Sequence, residues 1–96
     1  MKLDLNFPHF QQDLFSLSKT DLSTFIRTAK KIQKIDFSQV KQSSGLNLEK
    51  IRNMTTPSGK TLYSIRMSKS FRAVIMIEGD FIRFVSLHPD HDSAYK

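Results

Sequence analysis

Three apolar runs separated by short polar breaks fill the C-terminal third of the chain. They cover residues 61–67 (TLYSIRM), 71–77 (FRAVIMI) and 81–87 (FIRFVSL), and the second break is the tripeptide Glu78-Gly79-Asp80. Each run is rich in β-branched and aromatic residues, which favour strands, and short breaks of this kind favour antiparallel connections. The pattern therefore predicts a three-stranded antiparallel β-meander.

Alternation along the first two strands predicts which side chains share a face. Positions 63, 65 and 67 are apolar with Arg66 between them, and positions 71, 73, 75 and 77 are apolar with Arg72 between them. Because successive side chains of a strand point to opposite faces, both arginines should project away from the apolar face. Arg72 should also lie on a central strand. Arg83, in a run with Phe81, Val85 and Leu87, is expected to be structural.

The N-terminal half begins with a different pattern. Residues 2–7 alternate apolar and polar side chains, which predicts a half-buried first strand. Pro8 suits the first position of a helix, and apolar residues recur at helical spacing behind it. Ser18 and Asp21 have the spacing of a helix N-cap, which predicts that a second helix begins there. We expect the two helices to form a hairpin.

The second helix carries both an apolar stripe and several cations. The stripe is expected to cover one face of the sheet and consists of Leu22, Phe25, Ile26, Ala29 and Ile32. Residues 36–42 predict one more helical turn, residues 46–53 an extended segment that leads into the sheet, and residues 55–59 a turn. This order of elements predicts a small α+β fold, with residues 1–96 forming a single domain.

Charge and composition narrow the range of partners. The net charge is +6 at pH 7, and residues 19–60 hold nine Lys and Arg against three Asp and Glu, which accounts for all of it. A basic segment of this kind favours a polyanionic partner, either nucleic acid or an acidic protein segment, although a solvated helix face explains any single lysine equally well. No apolar run approaches the roughly 20 residues of a membrane span. We expect a cytoplasmic protein without a membrane partner.

The chain's final residues hold the remaining candidate chemistry. His88 and His91 can exchange protons near neutral pH, and an arginine on a strand presents a rigid fork suited to phosphate. Structural alternatives remain open: Arg72 could pair with Glu78 or a C-terminal carboxylate, and Tyr95 could anchor the tail in the core. The His and Asp residues at 88–92 lack a recognised metal-ligand spacing, so neither a metal nor another cofactor is expected.

Several segments resemble the RelE/ParE superfamily of toxins from bacterial type II toxin–antitoxin systems. The resemblance lies in LYSIRMSKSFRAVIMI, which carries Arg66 and Arg72, and in the ending HDSAY at residues 91–95, about twenty residues after Arg72. It covers residues 45–96 by motif and the whole chain by order of elements. It implies a RelE/ParE-like fold.

The resemblance also implies an activity. Similar proteins are metal-independent endoribonucleases that cleave messenger RNA on the ribosome, and each is held in check by a cognate antitoxin. The resemblance then implies that Arg72 binds the scissile phosphate with Arg66, that His91 and Tyr95 handle protons, and that Glu49 is a further catalytic candidate. Candidate substrate-binding residues are Lys30, Lys34, Lys50, Arg52 and His88. Two alternatives stay open: a toxin that inhibits DNA gyrase or nicks DNA, and a catalytically inactive antitoxin-binding or co-repressor module.

Overall fold

A five-stranded mixed sheet forms the framework of the protein. The structure, a computed structural model, describes residues 1–89, apart from the side chains at positions 53 and 54. The elements in chain order are β1 (Lys2–Asp4), α1 (Pro8–Phe15), α2 (Lys19–Gln33), α3 (Phe37–Gln42), β2 (Glu49–Thr55), β3 (Thr61–Arg66), β4 (Phe71–Glu78) and β5 (Phe81–Pro89). The strand order β1-β5-β4-β3-β2 places β4 at the centre.

The predicted meander is confirmed. Strands β3, β4 and β5 pair antiparallel in sequence order, and β2 extends the sheet as an antiparallel edge strand. The N-terminal strand is also confirmed, and it pairs parallel with β5, with Leu3 opposite Ile82. The first strand is shorter than predicted because the Asn6 amide donates to Asp4 Oδ1 (3.0 Å) and Pro8 then begins α1. That turn leaves Phe7 outside the ladder and 41% exposed.

Side-chain caps fix where the helices begin. Ser18 Oγ accepts the amide hydrogen of Asp21 (3.1 Å) at the start of α2, as its spacing predicted. Asp36 and Gln39 form a complete capping box at the start of α3. Caps of this kind stabilise a helix by about 1 kcal/mol because they satisfy amides that have no partner within the helix.

Three phenylalanine rings join the helices to the sheet. Phe10 of α1, Phe25 of α2 and Phe84 of β5 lie with their ring centroids 5.4–5.6 Å apart. All three are buried, and the same core contains the apolar face of β3 and β4. Each ring pair at this distance contributes about 0.5–1.5 kcal/mol beyond its buried area. The helices therefore cover one face of the sheet. Arg66 and Arg72 project from the other face, which we call the outer face.

The apolar stripe predicted for α2 is partly wrong. Phe25, Ala29 and Ile32 are buried as expected, whereas Leu22 and Ile26 are 36% and 43% exposed. Thr24 and Ile26 lie on either side of Phe25 and about 200° apart around the helix axis, so a face that buries Thr24 and Phe25 leaves Ile26 at its edge. Thr24 and Asp21 occupy the buried side in their place.

A β-bulge changes the alternation of β5. Val74 pairs with Ser86 and Ile75 with Phe84, which leaves Val85 as an extra residue in β5. Phe84 and Leu87 consequently both point into the core, although they are three positions apart. The amide of Leu87 donates to Asp13 Oδ2 of α1 (2.9 Å), which ties this part of β5 to the helical layer.

Candidate anion-binding site on the outer face

Two arginines and a histidine form a row across the centre of the sheet. Arg66 lies directly opposite Arg72 on β4, and Arg72 lies directly opposite His88 on β5. Side chains at directly opposite positions share a face and have Cβ atoms about 4.5–5.5 Å apart. The row therefore places two guanidinium groups and an imidazole side by side on the outer face. The predicted orientation of both arginines is confirmed.

Neither arginine of this row has an acidic partner among residues 1–89. Both side chains are half-buried, and no Asp or Glu of the described chain lies within ion-pair distance of them. Glu78, the predicted alternative partner of Arg72, instead contacts Lys60 and Arg83. Like charges held directly opposite each other destabilise a sheet, so an anion that binds between them relieves that repulsion.

The Arg66 side chain has a buried donor that no described residue uses. Its Nε atom is buried and has no hydrogen-bond partner among the described residues. A buried donor without a partner costs about 1–3 kcal/mol, and such groups are rare in folded proteins. The backbone amide of Arg66 donates to the Leu46 carbonyl (2.7 Å), so its backbone position is fixed.

His88 is held by a neighbour on its own strand. Its Nε2 atom lies 2.9 Å from the Ser86 hydroxyl oxygen, and either group can be the donor. Ser86 is 8% exposed, so the hydroxyl is a largely buried support for the ring. Because the bulge at Val85 turns Ser86 and His88 to the outer face, the alternation of the apolar run 81–87 gave no indication of this pair.

Glu49 reaches the outer face at the edge of the sheet. It lies opposite Ser64, two positions along β3 from Arg66. Its carboxylate accepts a hydrogen bond from Asn47 Nδ2 (2.8 Å), and the side chain is exposed. The structure therefore brings Glu49 to the same face as the row but onto the edge strand.

Four other predicted site residues are not brought to the row. Lys50 lies opposite Tyr63, whose side chain packs against the core, and Arg52 is exposed where the pairing of β2 with β3 shifts. Lys30 and Lys34 are exposed on or next to α2, on the other side of the sheet. His91 and Tyr95 lie outside the described residues.

The opposite end of the outer face holds an ion-pair network. Arg83 Nε lies 2.7 Å from Asp4 Oδ2, Arg83 Nη1 lies 3.0 Å from Glu78 Oε1, and Lys60 Nζ lies 2.9 Å from Glu78 Oε2. The Arg83 hydrogen bond lowers the pKa of Asp4, and the Lys60 hydrogen bond lowers the pKa of Glu78. The Asp4 hydrogen bond in turn raises the pKa of Arg83. Arg83 is thus a structural residue, as expected.

Two further observations concern metals and membranes. Within residues 1–89, no cluster of three His, Cys, Asp or Glu side chains could hold a metal ion. No helix of that part of the chain is long and apolar enough to cross a bilayer.

Solved toxin structures share this architecture. The archaeal RelE–RelB complex from Pyrococcus horikoshii OT3 matches with a TM-score of 0.65 over 96% of this chain and 97% of that chain, at 15% identity. The RelB–RelE antitoxin–toxin complex from Methanococcus jannaschii matches with a TM-score of 0.61 over 93% and 89%, at 17% identity. The chain has the RelE fold. The resemblance inferred from the sequence is therefore confirmed at the level of the fold, as is the α+β class.

A third structure extends the comparison to a bacterium. A copper-bound mutant toxin from Helicobacter pylori matches with a TM-score of 0.54 over 97% of this chain and 98% of that chain, at 15% identity. No protein-family model matches the sequence, and a search of curated proteins finds no significant match. The RelE fold is thus recognised through the arrangement of its elements.

Proposed function

We propose that this protein is the toxin of a toxin–antitoxin system and acts as a metal-independent endoribonuclease on ribosome-bound messenger RNA. The observation that carries the proposal is the row of Arg66, Arg72 and His88, in which two guanidinium groups lack an acidic partner within residues 1–89. The RelE fold supports the same activity by analogy.

The row suits cleavage of an RNA strand by its own 2′-hydroxyl. The 2′-oxygen attacks the adjacent phosphorus, the bond to the 5′-oxygen breaks, and the products are a 2′,3′-cyclic phosphate and a 5′-hydroxyl. Arg72 and Arg66 would bind the phosphate oxygens and stabilise the additional negative charge of the transition state. His88 would exchange a proton with the 2′-oxygen or the 5′-oxygen. His91 and Tyr95 remain predicted participants in the same proton transfers.

The partner follows from the proposed class. The two archaeal relatives were solved as complexes of RelE with RelB. We therefore propose that this chain also has a cognate antitoxin. The chain's net charge of +6 favours both a nucleic acid substrate and an acidic segment in the antitoxin.

An RNA oligonucleotide with one 2′-deoxy substitution tests the activity. Purified protein is incubated with messenger RNA in the presence and absence of ribosomes, and the cut site is mapped. We expect a single 2′-deoxy nucleotide at that site to block cleavage because the attacking oxygen is missing. The unmodified RNA should yield a 2′,3′-cyclic phosphate end, which attack by the 2′-oxygen produces and attack by a metal-activated water does not.

Other outcomes would identify the alternatives. Cleavage of an all-deoxy strand, a covalent adduct with DNA, or inhibition of gyrase would replace the ribonuclease with a toxin that acts on DNA. Operator binding together with a partner, without growth arrest when the protein is expressed alone, would instead indicate a co-repressor.

A further inference from the structure

A buried hydroxyl group interrupts the apolar run 81–87 of β5. Ser86 is 8% exposed, and buried polar side chains are uncommon unless a hydrogen bond satisfies them. Within residues 1–89, the partner of this hydroxyl is His88, which lies beside the arginine row of Arg66 and Arg72. An alanine would suit the packing of the strand equally well, so the hydroxyl matters for His88 more than for the core.

The backbone between Ser86 and His88 is anchored to the helical layer. The amide of Leu87, the residue between them, donates to Asp13 Oδ2 of α1 (2.9 Å). The pairing of β5 with β4 then places His88 directly opposite Arg72. Because the backbone is fixed, the direction of the imidazole ring depends on its side-chain torsions, which the contact with Ser86 restricts.

The contact gives the two nitrogen atoms of the ring different roles. Nε2 of His88 lies 2.9 Å from Ser86 Oγ, so an RNA oxygen can reach Nε2 only by displacing a largely buried hydroxyl. In the charged ring both nitrogens carry hydrogen, and Ser86 Oγ accepts the hydrogen on Nε2. When the ring then loses its proton from Nδ1, the hydrogen bond from Nε2 persists and the ring keeps its orientation.

We propose that Ser86 is a positioning residue that holds the His88 ring through Nε2, so that Nδ1 is the nitrogen that exchanges a proton with RNA. The inference rests on the proposed function because it assigns His88 to the cleavage reaction. There the neutral ring accepts the proton of the 2′-hydroxyl at Nδ1, or the charged ring donates its Nδ1 proton to the leaving 5′-oxygen. In both cases Ser86 accepts from Nε2 before and after the transfer.

The rate of cleavage and the binding of RNA should respond differently to loss of the hydroxyl. We expect Ser86→Ala to lower the single-turnover cleavage rate about 10-fold, because the ring is present but no longer held in one orientation. Affinity for RNA with a 2′-deoxy nucleotide at the cut site, measured by fluorescence anisotropy, should equal that of the wild type. The phosphate is bound by Arg66 and Arg72 in the proposed mechanism, and both remain.

Two further variants are matched to Ser86→Ala. Ser64 lies opposite Val74 from β3, as Ser86 does from β5, so Ser64→Ala removes the same group from the other side of Val74. This control should cleave RNA at the wild-type rate. Ser86→Thr keeps a hydroxyl at the position and should restore most of the rate that Ser86→Ala loses. Circular dichroism confirms that each variant is folded.

A double variant shows whether Ser86 acts through His88. His88→Ala alone should lower the cleavage rate about 10²-fold or more. Adding Ser86→Ala to it should have no further effect, because the group that the hydroxyl positions is already absent. A further 10-fold loss in the double variant would mean that Ser86 supports the fold of the site independently of His88, and would overturn the inference.

Nuclear magnetic resonance of nitrogen-15-labelled histidine tests the contact in the absence of RNA. The signals of His88 are identified by their loss in His88→Ala. At a pH at which the ring is neutral, we expect the wild-type ring to carry its proton on Nε2, whereas Ser86→Ala should show exchange between the two tautomers. Ser64→Ala should give the wild-type spectrum.

The outcomes separate this inference from the proposed function. Identical His88 spectra in the wild type and in Ser86→Ala, or a neutral wild-type ring protonated on Nδ1, would overturn the inference while leaving the ribonuclease intact. A wild-type protein that cleaves no RNA, but whose His88 tautomer depends on Ser86, would support Ser86 as the residue that holds the ring and reject the ribonuclease.

Discussion

Arginine side chains have opposite electrostatic environments at the two ends of the outer sheet face. Arg83 contacts two carboxylates, those of Asp4 and Glu78, at 2.7 and 3.0 Å. Arg66 and Arg72 face each other across two strands and have no carboxylate partner within residues 1–89. The same side-chain type is therefore neutralised at one end, where it stabilises the fold, and left with unused binding capacity at the other.

The difference arises from which chain segments meet at each end. Asp4 comes from β1, and Glu78 and Lys60 come from the ends of β4 and the β2–β3 connection. These segments converge beside Arg83 but not beside Arg72, whose opposite neighbours are Arg66 and His88. The two ends would not differ in this way if Arg72 stabilised the fold and Arg83 bound an anion.

The largest expected effect is on RNA cleavage by Arg72→Ala. Loss of a group that stabilises the transition-state charge costs about 10²–10³-fold in rate. Cleavage and growth arrest should therefore be lost, while the far-UV circular dichroism stays unchanged because Arg72 forms no ion pair within the described chain. Lys31→Ala, which removes an exposed positive charge on α2, should retain both activities. Toxicity that persists in folded Arg72→Ala would remove this residue from the site.

Inorganic phosphate should distinguish the two ends in a melting experiment. We expect phosphate to raise the melting temperature of the wild type, since an anion bound between Arg66 and Arg72 stabilises the folded state. The double variant Arg66→Met/Arg72→Met should lose this effect without becoming less stable. Arg83→Met should melt at a lower temperature and keep the effect. An equal response to phosphate in all three proteins would mean that the row does not bind the anion.

Acid should weaken the ion pairs around Arg83 and leave the arginine row unaffected. The pKa values of Asp4 and Glu78 are lowered in the folded state, so these carboxylates stay charged to a lower pH than in the unfolded chain. Their stabilisation is complete above the unfolded pKa of about 4 and is lost as the pH falls through the lowered folded values.

Urea unfolding as a function of pH checks this assignment. Arg83→Met should reduce the loss of unfolding free energy below about pH 4, because Asp4 then loses the largest cause of its lowered pKa and keeps only its hydrogen bonds with Asn6. Arg72→Met should leave that loss unchanged. If Arg72→Met reduced that loss and Arg83→Met did not, the stabilising charge interactions would lie at the other end of the face.

The smallest effect concerns the turn that carries Glu78. Gly79 has φ +58°, a left-handed conformation, and no other atom lies within 4 Å of the position that a Cβ atom would take there. Gly79→Ala should therefore cost about 1 kcal/mol of unfolding free energy through backbone strain alone. Gly45→Ala provides the control, since Gly45 has no positive φ and its nearest neighbours lie at 3.7 and 3.8 Å. A larger loss in Gly79→Ala would mean that the turn also positions Glu78 for its ion pairs.

Features that depend on local alternation were predictable from the sequence. The three strands of the meander, and the projection of Arg66 and Arg72 away from the core, follow from a period of two within six to nine residues. Ser18 as the cap of α2 likewise depends on residues within one turn. The burial expected of Leu22 and Ile26 was wrong because the rotation of α2 on the sheet depends on distant partners such as Phe84.

The amino-acid sequence by itself determined that Arg66 and Arg72 project from the same face of a β-meander. The direction of a side chain in a strand follows from the apolar residues that alternate with it. Only the tertiary structure decided that His88 lies beside Arg72, because the bulge at Val85 and the register of β4 with β5 set that pairing. It also decided that Arg83 meets Asp4, seventy-nine positions away in the chain. Charges pair according to distance in space, and that distance is fixed by strand order and register.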